Sequence, residues 1–72
     1  NRLRAGGGAF LGYIRERGYP ELPAENTTLD KYLKERLGPT PKENSVVNVG
    51  GMRIRVRRVT RGYVYDAFIE RS

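Results

Sequence analysis

The sequence predicts an α+β fold in which two short helices are followed by a three-stranded antiparallel meander, with the helices packed on one sheet face. Three observations lead to this class. In the first half of the chain, apolar residues recur at helical spacing in two stretches. The second half alternates apolar and polar residues, and glycine-containing turns divide it into strands. The length of 72 residues suits a single small domain.

Residues 1–8 end in three consecutive glycines and are predicted to be a flexible linker or an expression remnant, so that the domain spans residues 9–72. Glycine at Gly6, Gly7 and Gly8 makes the backbone permissive and leaves no side chain to pack. Glycine triplets also occur in phosphate-binding loops. This segment, however, matches neither the GxxxxGKS/T nor the GxGxxG pattern, and no strand signal precedes it.

The first helix is predicted over residues 9–17, and its end is set by Gly18. Its apolar face consists of Phe10, Leu11 and Ile14. Residues 19–23 contain Pro20 and Pro23, which favour an extended segment from which Leu22 points inward.

The second helix begins near Asn26-Thr27-Thr28, which supplies N-cap candidates, and ends at Gly38-Pro39. Thr27 and Asp30 have the spacing of a capping box. The apolar stripe consists of Leu29, Tyr32, Leu33 and Leu37. The residues predicted to face water are Asp30, Lys31, Lys34, Glu35 and Arg36.

Three strands are predicted after the second helix. Residues 46–49 form the first, and Gly50-Gly51 makes a tight turn into the second, residues 52–57. Arg61-Gly62 makes the next turn, and residues 63–69 form the last strand. In that strand the inward spacing changes between Val64 and Ala67, which predicts a β-bulge there.

Composition excludes several classes of site. The chain has no cysteine, histidine or tryptophan. A disulfide framework, a Cys/His zinc site, a thiol nucleophile and a histidine base are therefore excluded. The carboxylates are spread over loops and exposed faces, which suits neither acid–base catalysis nor a loop of oxygen ligands for a metal. We therefore predict no enzymatic activity, no cofactor and no metal site.

Positive charge is concentrated at the two ends of the sequence. The formal net charge is +6, of which residues 1–20 contribute +3, residues 21–50 contribute −1 and residues 51–72 contribute +4. Such clusters are typical of proteins that contact phosphates, nucleic acid or anionic membranes, and also of small domains with a solvated charged face. No apolar run approaches the roughly 20 residues that cross a membrane. Because the chain begins with Asn1 rather than Met, we expect it to be part of a longer protein.

Arg53, Arg55 and Arg57 are the candidate contact residues for an anion or a partner. They lie on one face of the second predicted strand, about 7 Å apart, which is close to the spacing of phosphates along a nucleic acid strand. Tyr63 and Tyr65 on the next strand would then offer stacking surfaces. The chain has no RNP motif, helix-turn-helix or GXXG loop. A small basic nucleic-acid-binding module is therefore the alternative function, and a solvated strand face is the structural alternative.

Several short motifs follow one another in a characteristic order. They are Leu22-Pro23, Thr28-Leu29, Leu37-Gly38-Pro39-Thr40-Pro41, Val46-Val47, and Gly50-Gly51-Met52-Arg53-Ile54-Arg55-Val56 with Val64. In order and spacing they resemble the transporter-associated domain, which is the CorC/HlyC C-terminal module of magnesium and cobalt efflux proteins and of certain cation/proton antiporters. The resemblance covers residues 10–71. It also implies a strand before the first helix, which is not evident in residues 1–8.

The resemblance implies a cytoplasmic regulatory or accessory domain of a bacterial membrane transporter, without catalytic residues or cofactors. The expected partner is the membrane domain of its own parent transporter, with a homodimer through a sheet edge or face and anionic lipid as further expectations. Two positions depart from the efflux branch: Asp30-Lys31-Tyr32 stand where that branch usually has a glycine, and Glu43-Asn44 where it usually has Gly-Asp. A potassium or sodium/proton antiporter is therefore preferred over a magnesium/cobalt efflux protein.

Overall fold

The structure is a computed structural model that describes residues 2–71, in which two α-helices and four β-strands are found. In chain order they are β1 (Arg2–Gly6), α1 (Leu11–Glu16), α2 (Leu29–Leu37), β2 (Val46–Val49), β3 (Met52–Thr60) and β4 (Tyr63–Arg71). The predicted α+β class with two helices is confirmed. β2, β3 and β4 pair antiparallel in succession.

A fourth strand corrects the prediction of a three-stranded sheet. β1 pairs antiparallel with β4, with Ala5 opposite Ala67, so the order of strands is β1-β4-β3-β2. The prediction of a flexible segment over residues 1–8 is therefore wrong for Arg2–Gly6, and Asn1 lies outside the described residues. The physical reason is that apolar and basic residues alternate along this segment. Leu3 and Ala5 pack on the core, whereas Arg2 and Arg4 point away from it.

Gly7 packs tightly against β4 instead of forming a linker. Its N–H donates to the Tyr65 carbonyl at 2.9 Å, and its own carbonyl accepts the Asp30 N–H at 2.9 Å. A Cβ added at Gly7 would lie 1.8 Å from the Val64 carbonyl oxygen. Glycine is therefore required here because the backbones of the two segments approach too closely for any side chain.

α1 is shorter than predicted, and one of its predicted apolar residues is not buried. Leu11 and Ile14 are fully buried, but Phe10 is 52% exposed. Phe10 precedes the helix and pairs in an isolated β-bridge with Thr28. This bridge holds the start of α1 beside the start of α2.

The N-terminus of α2 is capped by Thr28 and not by the predicted capping box. Thr28 Oγ1 accepts the Lys31 N–H at 3.3 Å, as an N-cap hydroxyl does. The Thr27 hydroxyl oxygen is buried without a hydrogen-bond partner among the described residues. At the other end Gly38 has a φ of +101° and ends the helix, as predicted.

Asp30, predicted to face water, is buried and connects α2 to β4. Its Oδ1 accepts the Val64 N–H at 2.7 Å, and its Oδ2 pairs with Lys34 Nζ at 3.1 Å. Burying a carboxylate is costly unless it is hydrogen-bonded or paired. Both conditions are met here, so Asp30 fixes the helix on the sheet.

The apolar core lies between the helices and one face of the sheet. In the sheet, Ile54 lies opposite Ile69, and Val56 lies opposite Ala67. Leu22 points inward from the extended segment, as predicted. The side chains with no exposed surface are Leu11, Ile14, Leu22, Leu29, Leu33, Met52, Ile54, Val56, Val64, Ala67 and Ile69.

The predicted bulge in the last strand is confirmed. Val56 pairs with Ala67 and Val59 pairs with Val64, with a register shift on either side of the pair formed by Arg58 and Asp66. Because of this shift, Val64 and Ala67 both face the core although two residues separate them. Asp66 points to the opposite face of the sheet.

Candidate functional site

The three predicted contact residues lie on the sheet face that points away from the helices. Arg53, Arg55 and Arg57 alternate along β3 with three fully buried residues, so they share this side of the strand. We call this side the outer face. The structure brings the three side chains together as the alternation predicts, while their role in binding remains a prediction.

β4 supplies the outer face with two carboxylates. Arg57 Nε donates to Asp66 Oδ1 and Oδ2 at 3.1 and 3.0 Å. Arg53 donates to Glu70 Oε1 at 3.3 Å. Sequence reasoning did not pair these residues, because the pairs depend on the register between two strands.

Phe68 lies on the outer face between the two carboxylates and is covered by two guanidinium groups. The Cζ atom of Arg2 lies 4.2 Å from the centroid of the ring, and that of Arg55 lies 5.9 Å from it. The two arginines reach the ring from opposite sides, since β1 and β3 flank β4. The ring is therefore engaged in cation–π contacts with both neighbouring strands.

Arg2 and Arg4 belong to the outer face, although the sequence analysis assigned them to a flexible segment. The Nε atom of Arg4 lies 3.8 Å from Asp66 Oδ2, and the Arg4 side chain is 63% exposed. The signal that would have found them is the alternation Arg2-Leu3-Arg4-Ala5, which has the same form as the β3 pattern. The strand was not predicted because the glycine triplet that directly follows indicates a flexible segment.

The outer face holds two thirds of the net charge of the chain. Its arginines are Arg2, Arg4, Arg53, Arg55, Arg57 and Arg58, which lies opposite Asp66, and its carboxylates are Asp66 and Glu70. Six positive and two negative groups give this face a formal charge of +4, against +6 for the chain. The arginines form two columns on either side of β4, about 10 Å apart.

A cleft of about 450 Å³ opens at the end of the outer face where β1 leads into the glycine triplet. It is lined by Arg4, Gly6, Gly7, Gly8, Tyr63, Tyr65 and Asp66. Both tyrosines are about half exposed. Since Arg57 already binds the Asp66 carboxylate, the cleft offers two phenol rings, exposed backbone and the Arg4 guanidinium. This set suits a small polar or anionic group.

Glu21 and Arg71 form an ion pair that fastens the extended segment to the end of β4. The Arg71 guanidinium donates to Glu21 Oε2 and to the Gly18 carbonyl oxygen. The hydrogen bond from Arg71 lowers the pKa of Glu21 from its ordinary value of 4.5. Its role in the structure is to hold two segments together.

Over residues 2–71, no group of three or more acidic side chains is arranged to hold a metal ion. The helices found in the same range are too short and too polar to cross a membrane.

Several solved structures share this fold over nearly the full length of the chain. The transporter associated domain CorC_HlyC from Nitrosomonas europaea has a TM-score of 0.85 at 16% identity, covering 100% of this chain and 88% of that one. A CorC_HlyC domain from Haemophilus ducreyi has a TM-score of 0.83 at 9% identity, covering 100% and 97%. The putative Mg2+ and Co2+ transporter (CorC) associated region from Neisseria meningitidis MC58 has a TM-score of 0.83 at 21% identity, covering 99% and 89%.

The chain therefore has the fold of the CorC_HlyC transporter-associated domains. At these identities the likeness establishes the fold and not the activity. No protein-family model matches the sequence, and no match is found among curated proteins.

Proposed function

We propose that the chain is a non-enzymatic accessory domain of a membrane cation transporter and modulates ion transport through contacts with the other domains of that protein. One observation carries the proposal: the fold of the CorC_HlyC domains extends over the whole chain. The order of the sequence motifs supports the same family.

The mechanism that fits such a domain is a shift between two docking arrangements. An ion or ligand that binds one arrangement better than the other changes their populations and so changes transport. A domain of this kind has to be rigid enough to transmit a contact. Asp30 and Gly7 hold α2 and the end of β1 against β4, and Asp66 connects β4 to both neighbouring strands.

We propose a bacterial potassium or sodium/proton antiporter as the parent protein, with the domain on the cytoplasmic side. The residues after Thr28-Leu29 support this choice, since they lack the glycine usual in the efflux branch. A magnesium/cobalt efflux protein is the alternative. It is supported by the similar structure from Neisseria meningitidis, which is a putative Mg2+ and Co2+ transporter (CorC) associated region.

Deletion of residues 1–72 from the parent protein tests the proposal. Fluxes of K+, Na+, Mg2+ and Co2+ are measured in everted membrane vesicles as functions of pH and cation load. We expect the shortened transporter to insert and transport, with an altered dependence on pH or cation load, and the ion affected identifies the branch. The parent protein with the exposed Lys31→Gln substitution is the control. An unchanged flux response after deletion, or a parent gene without hydrophobic spans, contradicts the proposal.

A nucleic-acid-binding module is the alternative of another class. The spacing of Arg53, Arg55 and Arg57 along β3 supports it. The pairing of two of these arginines with carboxylates and the covered Phe68 ring weigh against it. An electrophoretic shift of single-stranded RNA that weakens with salt would favour this alternative, and the absence of a shift at low salt would exclude it.

A homodimer of the domain is proposed through the sheet edge rather than the outer face. β1 and β2 are the edge strands, and edge strands present unpaired backbone groups to a second copy. A dimer through the outer face would place two basic surfaces in contact. Sedimentation equilibrium at increasing concentration tests the dimer, and a constant monomer mass contradicts it.

A further inference from the structure

We propose that the outer face docks on an anionic lipid surface, with its arginines against the headgroup phosphates. The inference deepens the proposed function, on which it rests, because it names the surface that a transporter-attached domain would meet. It starts from the concentration of charge. Six of the 14 basic residues and two of the eight acidic residues lie on the outer face, which leaves eight basic and six acidic residues for all other surfaces.

The arrangement of the arginines suits a plane of phosphates better than a single ligand. They form two columns on either side of β4, about 10 Å apart, with neighbours in a column about 7 Å apart. Arg2 and Arg55 lie over Phe68 without a carboxylate partner in the described structure, and Arg4 is largely exposed. These three guanidinium groups are therefore available to several headgroups at once, and each basic residue near an anionic membrane contributes about a fourfold to sixfold gain in binding.

The border of the outer face has the composition of a membrane interface. Val46 on β2 lies opposite Arg55, shares its face and is 41% exposed. Tyr65 lines the cleft beside Arg4 and is 55% exposed. Tyrosine and aliphatic side chains beside basic residues are favoured where headgroups meet acyl chains.

Two other occupants fit the outer face less well. Sequence-tolerant binding of single-stranded nucleic acid uses exposed rings spread along the phosphate track. The central ring, Phe68, already contacts Arg2 and Arg55. The exposed rings of Tyr63 and Tyr65 lie together at one end of the face. A second copy of the chain would bring one face with a charge of +4 against another such face. A lipid surface needs neither stacking nor a complementary protein shape.

Cosedimentation of the 72-residue chain with vesicles tests the inference. Vesicles of phosphatidylglycerol and phosphatidylcholine are compared with vesicles of phosphatidylcholine alone. The face variant combines Arg2→Gln, Arg4→Gln and Arg55→Gln. Arg53 and Arg57 stay unchanged because their carboxylate partners would otherwise lose their counter-charges.

The matched control variant removes three positive charges elsewhere. It combines Arg17→Gln, Lys31→Gln and Lys42→Gln, all at exposed positions. Both variants have the same formal net charge, so they separate the position of the charges from their number. Thermal unfolding of both variants verifies that they fold. The salt dependence of wild-type binding is a second measurement that needs no substitution.

We expect the wild-type chain to bind the anionic vesicles and to dissociate as salt is raised. The face variant should lose about a hundredfold in apparent affinity. Each arginine near the surface contributes about fivefold, and the variant removes three of them. The control variant should lose less than about tenfold, because Arg17 at the end of α1 and Lys31 in α2 lie on the side of the sheet that points away from the lipid, and attraction to the surface weakens with distance.

Three results would overturn the inference: no binding of the wild-type chain to anionic vesicles at low salt, equal losses in the two variants, or binding of single-stranded RNA without binding of vesicles. The last result would assign the face to nucleic acid. The vesicle experiment contains no transporter, so its failure leaves the deletion experiment intact. Vesicle binding combined with an unchanged flux after deletion would instead refute only the transporter role.

Discussion

Arg57 donates through Nε to both carboxylate oxygens of Asp66, at 3.1 and 3.0 Å, and so joins β3 to β4 on the outer face. The Asp66 side chain is only 7% exposed, and Arg4 of β1 approaches it from the other side at 3.8 Å. One buried carboxylate therefore positions arginines of two strands. The same contacts stabilise the sheet at its bulge, where the backbone ladder is interrupted.

Replacement of the Asp66 carboxylate should destabilise the fold. Asp66→Asn keeps the shape of the side chain but removes the charge that pairs with Arg57, and we expect a loss of about 2 kcal/mol in the free energy of unfolding. Urea denaturation measures it. Glu70→Gln is the control, because the Arg53–Glu70 pair is more exposed and should contribute less than about 1 kcal/mol. If both variants lost the same small amount of unfolding free energy, the buried Asp66 pair would stabilise the sheet no more than the exposed Arg53–Glu70 pair.

The close approach of β1's end to β4 makes Gly7 the most sensitive glycine to test. In Gly7→Ala the new Cβ would meet the Val64 carbonyl oxygen, and the overlap should cost about 3 kcal/mol or prevent folding. Gly12→Ala is the matched control. Gly12 lies in α1, and apart from its chain neighbours and the backbone of its own helix no atom lies within 4 Å of an added Cβ, so alanine should raise stability by about 0.5 kcal/mol. Thermal and urea unfolding measure the stability of both variants. A Gly7→Ala variant as stable as the wild type would contradict the packing described.

Two substitutions at Asp30 separate its two contacts. Asp30→Ala leaves the buried Val64 N–H without an acceptor and should cost about 2 kcal/mol. Asp30→Asn retains an acceptor for that N–H and loses the ion pair with Lys34, which should cost less than about 1 kcal/mol. Urea unfolding compares the two. If asparagine proved as damaging as alanine, the ion pair and not the hydrogen bond would hold α2 on the sheet.

The Glu21–Arg71 pair should make stability depend on pH in the acid range. The hydrogen bond from Arg71 lowers the pKa of Glu21 in the folded state, so the pair stabilises the fold above the unfolded value near 4.5. That contribution is lost as the pH falls through the lower folded pKa. The stability difference between wild type and Glu21→Gln should therefore shrink on acidification. NMR titration of the Glu21 side chain gives the pKa directly, and in Arg71→Gln it should rise toward 4.5. An identical titration in both proteins would contradict the assigned cause.

The elements with clear periodicity could be predicted from sequence alone. The stripe from Leu29 to Leu37 and the stop at Gly38 define α2, and the alternation from Met52 to Arg57 defines the inner and outer sides of β3. The bulge was predictable from the spacing of Val64 and Ala67. In each case the signal lies within a few neighbouring residues.

The remaining features depend on contacts between distant parts of the chain. Gly7 packs against the backbone of β4 and donates a hydrogen bond to Tyr65, and nothing in the glycine triplet itself indicates that contact. Asp30 has the spacing of an exposed helix residue, and its burial follows from the Val64 N–H, which is 34 residues away. The positions of Arg2 and Arg4 on the outer face depend in the same way on pairing with β4.

The central claim is that a transporter accessory domain acts through its outer face. It is tested most directly by ion flux through the parent transporter with the face variant, Arg2→Gln/Arg4→Gln/Arg55→Gln, in proteoliposomes that contain phosphatidylglycerol. The control is Arg17→Gln/Lys31→Gln/Lys42→Gln in the same protein. We predict that the face variant reproduces the altered pH or cation dependence of the deletion, while the control follows the wild type. A face variant that behaves as wild type, in a transporter whose regulation the deletion changes, would contradict the claim.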